Sequence, residues 1–319
     1  MKVKSYHENL INNEKDNYYV LKTRQTNESF IAISLENGYE FVNMEFDYEV
    51  EGNINISVIF IKDWNWGNTV VRNITLSSKS SGKVVLQERI KRNSNVLIYY
   101  SQRIIIKNIE IKEYFTHVMS LGTWCMASQY LKYACLKKES YPFDWILTTY
   151  DIISDCIETD FENFLNKKYM LYKCLTEYPQ IDHTLYNINM FLHHDPLNSE
   201  KDNKYFKRCV DRFKKLYNRT EKNVMFFTMF HLLPPPREID RIIRNLRKRF
   251  VNFKLIIISN NESSEHQSYF SEKLDYIDLP HVQIFQIFSD GLRNENWHGL
   301  KTYSTLDNIF SRYKFVSNS

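Results

Sequence analysis

Cys125 closes the run HVMSLGTWC, residues 117–125. The first part has the pattern of a short apolar strand. TWCMASQYLKYACLKK, residues 123–138, reads as a helix with Thr123 as N-cap and an apolar stripe at Met126, Tyr130, Tyr133 and Ala134. The thiol then falls in the first turn of a helix, where backbone N–H groups lack intrahelical partners and the helix end carries partial positive charge. Both effects favour a thiolate and predict a thiol pKa below the usual value. Ser120, Gly122 and Trp124 frame the turn, and backbone N–H groups from Gly122 to Cys125 are candidate donors to an oxyanion. This is the setting of a cysteine nucleophile; it also suits a small thiol packed into a helix end.

A cysteine nucleophile needs a base, and histidine suits it. His193 and His194 end the apolar run in FLHHDP, where a regular strand would turn them to opposite faces. One of the two can therefore meet the thiol; His194 is the first candidate and His193 the second. In a regular strand Asp195 points away from His194, so the orienting acid would come from elsewhere, with Asp144 and Asp182 as candidates. Asp144 lies in SYPFDWI, where Pro142, Phe143 and Trp145 anchor the chain and leave it a partly buried carboxylate that demands a partner. A metal held by His193, His194 and Asp195 lacks a further ligand in the pattern, so no metal is expected, and no cofactor motif is present. Asp290 and His298, in SDGLRNENWHG, follow a buried strand whose carboxyl end would face a ligand in an open parallel sheet. Asp63, Trp64 and Trp66 in KDWNWGN suit a sugar-stacking loop or, equally, a hairpin tip.

These residues must be positioned by two kinds of chain. From Tyr18 to about Tyr114 the dominant period is two, in segments such as EFVNMEFDYEV, NINISVIFIK and RIIIKNIEIKEY, with turn signals at Glu51-Gly52-Asn53 and Ser80-Ser81-Gly82. That predicts six or seven short strands in an antiparallel sandwich of jelly-roll type, a possible carbohydrate- or partner-binding front over residues 1–115, with residues 1–17 frayed. Residues 116–319 alternate buried strands with amphipathic helices: strands at 224–230, 254–259 and 282–288, helices at 200–219, 237–250, 263–275 and 303–314. The pattern predicts an α/β body with a mostly parallel sheet, carrying the Cys125 site.

Composition narrows the function classes. Of 319 residues, 43% are hydrophobic and 25% charged, a globular balance, and the 22 Tyr and 21 Phe can fill a core and line ring-binding surfaces. Net charge is only +4, and the densest basic run, Arg241 to Arg249, lies on a helix with an apolar opposite face, so nucleic acid is not an expected partner. No apolar run approaches membrane length and the N-terminus has no signal-peptide core, so the expectation is a cytoplasmic protein without a membrane partner. Five scattered cysteines (125, 135, 156, 174 and 209) with no CxxC pair read as reduced thiols.

VMSLGTWCMASQYLK, SYPFDWI and FLHHDP together resemble the DUF1796 family of papain-like cysteine peptidases. The pattern S-L-G-x-x-C falls on Ser120, Leu121, Gly122 and Cys125; P-F-D-W on Pro142, Phe143, Asp144 and Trp145; and H-D on His194 and Asp195. The resemblance spans about residues 116–290 and leaves out the β-rich front. It implies a cysteine hydrolase, with Cys125 as nucleophile, His194 as base and Asp144 or Asp195 orienting it. The order Cys-then-His is kept, whereas parallel β/α units in the rear half depart from the papain fold. A nucleophile after the first strand of such a sheet also looks like an SGNH-type esterase, although Asp290 and His298 are too widely spaced for that family's Asp-x-x-His.

Three readings follow. The first is a cysteine-dependent hydrolase or acyl transferase acting on a small-molecule, peptide or glycan substrate. The second is a sugar-transfer enzyme of glycan biosynthesis, which the absence of a Gly-rich phosphate loop counts against. The third is a carbohydrate-binding protein without chemistry.

Overall fold

The computed structural model describes residues 2–5, 10–13, 18–21, 29–35, 40–62, 69–77, 81–90, 94–100, 102, 104–173, 180–186, 188–230, 233–262, 270–272, 281–289 and 300–316. Asp63, Trp64, Trp66, Cys174, Asp290 and His298 lie outside them. The chain divides into two units: Met1–Tyr114 with Arg312–Lys314, and Phe115–Ser311 with Phe315–Ser319.

The first unit is built from β1 (Lys2–Ser5), β2 (Leu10–Asn13), β3 (Tyr18–Leu21), β4 (Ser29–Ser34), β5 (Phe41–Val50), β6 (Ile54–Lys62), β7 (Thr69–Leu76), β8 (Gly82–Arg89), β9 (Ser94–Tyr100) and β10 (Ile104–Phe115). They form two antiparallel sheets, ordered β1-β4-β9-β6-β7 and β2-β3-β10-β5-β8. Residues 1–17 are thus not simply frayed: Lys2–Ser5 pairs with β4 and Leu10–Asn13 with β3. Each is a four-residue segment that extends an existing edge, too short to show a period of its own. Alternation sends Val42, Met44 and Phe46 of β5 into a core shared with Ile56, Val58 and Phe60 of β6 and Val96 and Ile98 of β9, the packing of a sandwich. Asn55 and Asn73 sit on paired strands, where Thr75 Oγ1 donates to Asn55 Oδ1 and Ser57 Oγ donates to Asn73 Oδ1, each at 2.7 Å.

The other face of β5 is polar yet partly buried. Glu45 is covered because it is satisfied: Asn43 Nδ2 donates to it at 2.8 Å, and Lys83 and Lys314 pair with it at 2.5 and 2.7 Å. Those contacts hold its carboxyl down at about 2.

The second unit contains β11 (His117–Ser120), α1 (Cys125–Tyr133), α2 (Tyr150–Glu158), β12 (Met170–Lys173), β13 (Gln180–His183), β14 (Ile188–Phe191), α3 (Glu200–Lys214), β15 (Val224–Phe230), α4 (Pro236–Arg249), β16 (Phe253–Glu262), β17 (Phe270–Glu272), β18 (Val282–Ser289) and α5 (Leu300–Phe310). β19 (Tyr313–Phe315) returns to pair with β10. β11, β15, β16 and β18 are parallel neighbours in that order, and β17 closes the edge antiparallel to β18. The strand Phe270–Glu272 stands inside the stretch 263–275 that the sequence pattern assigns to a helix; pairing with β18 decides it.

All seven residues of β15 are buried because helices cover both faces of the sheet. Phe227 meets Tyr130 of α1 and Phe310 of α5, while its neighbour Phe226 meets Phe213 of α3 and Phe250 after α4. α4 starts with Pro236 in its first turn, turns Ile239, Ile242, Ile243 and Leu246 inward, and ends on Arg247, Lys248 and Arg249, where positive charge complements the helix dipole. Its basic run is a solvated and ion-paired face: Arg241 reaches Asp151 and Glu158 on α2.

Candidate active site

The loop from β11 to α1 is locked onto β15. Leu121 N donates to Phe227 O, Thr228 Oγ1 donates to Gly122 O at 2.9 Å, and Thr123 Oγ1 donates to Met229 O at 2.5 Å. Thr123 is therefore not the helix cap. Its hydroxyl is committed to β15, and Trp124 takes the N-cap position with no side-chain hydrogen bond. Gly122 has φ +94°, and a Cβ there would run into Thr148 Oγ1, so glycine is required.

Cys125 opens α1 and is half-buried. Gln129, one turn on, donates from Nε2 toward Sγ at 3.5 Å. Burial pushes the thiol up, opposed by its own backbone N–H, the reverse of the depression expected from the helix end. The Gly122 N–H is also not an oxyanion donor, because it donates to Ser120 Oγ at 3.0 Å. Ser120, fully buried, thus serves the turn. No side chain caps α1 at Trp124, so its first-turn N–H groups, together with the Gln129 amide, are candidate donors at the thiol. Trp124 at the cap and Tyr133 at the end of α1 expose 41% and 54% of their surface, and Tyr303 of α5 packs against Tyr133 in a tilted pair at 4.6 Å.

β14 ends at Phe191, so His193 and His194 lie in the following bend and not on a regular strand. His193 is exposed. His194 is held on three sides: its ring stacks on Tyr205 at 5.4 Å, meets Phe206 edge-on at 5.2 Å, and places Nδ1 3.4 Å from Asp202 Oδ1. Asp202 also accepts from the Asp195 backbone N–H at 2.8 Å and belongs to the first turn of α3, capped by Ser199. Asp202, which sequence reasoning missed, is the carboxylate beside His194. Asp195 instead binds Asn198, accepting from its backbone and side-chain amides at 2.8 and 3.1 Å.

Asp144 has a different partner as well. It is buried, pairs with Lys137, and accepts from Tyr141 N at 2.7 Å. Burial pushes its carboxyl up, opposed by the Lys137 ammonium. Ser128, three residues after Cys125 on α1, lies beside it and helps hold the charge, but outside hydrogen-bond geometry, so Ser128 Oγ and Asp144 Oδ1 remain buried without a partner. Asp182 pairs with Lys173 on the three-stranded sheet. Among the described residues no histidine hydrogen-bonds Cys125; the backbone nevertheless ties the two motifs together, since Thr148 N donates to Thr123 O and Leu147 N donates to Met190 O, each at 2.9 Å.

Residues 116–233 match the family described as "Putative papain-like cysteine peptidase (DUF1796)". Ser120, Gly122, Cys125, Asp144, His194 and Asp195 all fall inside that segment. No curated protein sequence matches the chain. Solved structures with similarity over 30% of this chain include one described as "CBM4 structure and function", 12% identical over 70% of that chain at a TM-score of 0.25. Another is a carbohydrate binding module of family 29, 14% identical over 66% of that chain at a TM-score of 0.24. A third is the enzymatically active domain of tailspike protein 4 of bacteriophage CBA120, 14% identical over 15% of that chain at a TM-score of 0.24. No helix among the described residues is long and apolar enough to cross a membrane.

Proposed function

We propose that the second unit is a cysteine-dependent hydrolase or acyl transferase with Cys125 as nucleophile. The observation that carries this reading is the half-buried thiol at the first position of α1, on a turn that only glycine at 122 allows, inside the segment that matches the family. Because burial raises the thiol, activation is by general base and not by a preformed thiolate. His194 is the proposed base. Asp202 at Nδ1 leaves Nε2 to take the thiol proton. The sulfur attacks a carbonyl carbon, and the developing oxyanion is received by first-turn N–H groups and the Gln129 amide. The proton on His194 passes to the leaving group, and water or another acceptor then releases the acyl group from sulfur.

The test is a panel of aryl esters and acyl thioesters with wild type, Cys125→Ser, His194→Ala and Asp202→Asn. Turnover is expected for wild type, abolished by Cys125→Ser and reduced about 10²-fold or more by His194→Ala. Full turnover in Cys125→Ser would overturn the assignment.

A second reading has one observation in its favour: among the described residues no histidine hydrogen-bonds the Cys125 thiol, whose side-chain partner is Gln129. In that case the chain is a glycan-binding protein using its β-sandwich. Slow alkylation of Cys125 at every pH, unchanged in His194→Ala, would select it.

A further inference from the structure

A cavity of about 400 Å³ lies in the second unit at the end of β11 opposite Cys125. β11 is four residues long, about 13 Å, and α1 runs back beside it from Cys125, so the cavity and the thiol stand at opposite ends of both elements. That volume falls in the range of small-molecule sites. Phe115, Val118, Leu136, Tyr141 and Phe315 give it apolar wall, and His117, Lys138 and Glu139 add polar groups.

The hydrogen bonds around His117 assign its tautomer. Thr116 Oγ1 donates its one proton to Asn223 O at 2.9 Å and accepts from Asn223 N at 3.1 Å. It stands 3.0 Å from His117 Nδ1, and with its proton committed it can only accept there. Nδ1 therefore carries hydrogen, and Nε2 presents a lone pair. Burial, with Lys222 and Lys138 nearby, pushes His117 down to about 4, so the ring is neutral at pH 7. At the rim, Lys138 and Glu139 cancel in charge, Lys138 Nζ donates to Val316 O at 2.5 Å, and Tyr141 OH donates to Glu139 at 3.4 Å. A ligand here meets the aromatic side chains of Phe115, Tyr141 and Phe315, a neutral imidazole, and Lys138 and Glu139, whose charges cancel.

We propose that this cavity binds a neutral, flat-ringed small molecule with one hydroxyl or ring N–H, of the phenol or indole class, which donates to His117 Nε2. The site is independent of the chemistry proposed at Cys125.

Cys135 lines the cavity and is exposed, which makes it a reporter. The experiment follows iodoacetamide labelling of Cys135 and Cys125 in the same full-length sample by peptide mass spectrometry. The probes are 2-naphthol, its methyl ether, which lacks the donor, and 2-naphthoate, which is an anion. 2-Naphthol is expected to slow Cys135 and leave Cys125 unchanged, with the ether binding about fivefold more weakly for want of one hydrogen bond and the anion giving no protection. His117→Phe should make naphthol and ether equal. Val118→Trp, which fills the cavity, should remove protection by both; should that variant not fold, His117→Phe alone decides. No protection by 2-naphthol, equal protection by the ether in wild type, or parallel slowing of Cys125 would each overturn the proposal.

Discussion

Gly122 adopts φ +94° against Thr148, and that single backbone position sets where Cys125 stands. Gly122→Ala should cost on the order of 1–3 kcal/mol, because an alanine is strained at this φ and its Cβ has no room. Urea denaturation reads the loss, and alkylation of Cys125 should change in step as the turn shifts; a variant matching wild type in both would show the turn to be permissive. Asp202 belongs to the same scale. Asp202→Asn keeps the shape but replaces an acceptor oxygen with an amide, so His194 loses its reason to hold hydrogen on Nδ1. Turnover should fall about 10²-fold while urea stability changes little; unchanged turnover would remove Asp202 from the site. The cysteine, the glycine and His194 were legible because their residue types are unusual in their local pattern. Asp202 and Gln129 were not. Asp202 reaches His194 only because the chain turns back after Pro196 and starts α3 on Ser199, and Gln129 counts only once α1 is known to begin at Cys125 itself.

Among the elements, long ones were readable and short ones were not. β15 and β16 declare themselves as unbroken apolar runs, and α4 by the spacing of Ile239, Ile242, Ile243 and Leu246. β12 and β13 have four residues each, too few for a period, and only their pairing makes them strands. Asp144 was readable as a buried carboxylate in need of a partner, but not its partner, since Lys137 follows a helix that ends at Tyr133 and not near residue 138. Lys137→Met should therefore cost about 3–5 kcal/mol by leaving that carboxylate uncompensated, whereas Lys137→Met with Asp144→Asn should recover much of the loss. Additive losses in urea would show the pair to be uncoupled.

Two histidines of the second unit should make it acid-sensitive. His117 and His183 are both pushed down by burial, His117 to about 4 from 6.5. Their folded values lie below their unfolded values, so on acidification the unfolded chain takes up protons that the folded one refuses. Stability is full above 6.5 and falls as pH drops from there toward 4, by on the order of 2–3 kcal/mol for His117. His117→Gln should flatten that part of the decline between pH 7 and 4.5; an unchanged slope would place the acid sensitivity elsewhere.

Across the whole molecule, the chain leaves the first unit at Tyr114 and comes back to it at Arg312–Lys314. The front therefore does not end where its strand pattern ends, and a boundary read from periodicity near 115 omits a segment that contributes to its charge network. Lys314 supplies the first of the contacts that lower Glu45 to about 2 from 4.5, ahead of Lys83 and Asn43. A carboxyl lowered on folding stabilises above its unfolded pKa and stops doing so as pH falls through its folded one. Lys314→Met should thus destabilise the front by about 1 kcal/mol at pH 7, a modest figure because the lysine is 42% exposed and screened by water. The difference between variant and wild type should shrink as pH falls from 4.5 toward 2, where Glu45 begins to take up its proton in the wild-type fold as well. Urea unfolding at pH 7 and near pH 2 separates this from a packing effect of β19, which would persist at both. A difference independent of pH would mean that the returning strand holds the front through its backbone and apolar contacts, and not through the Glu45 ion pair.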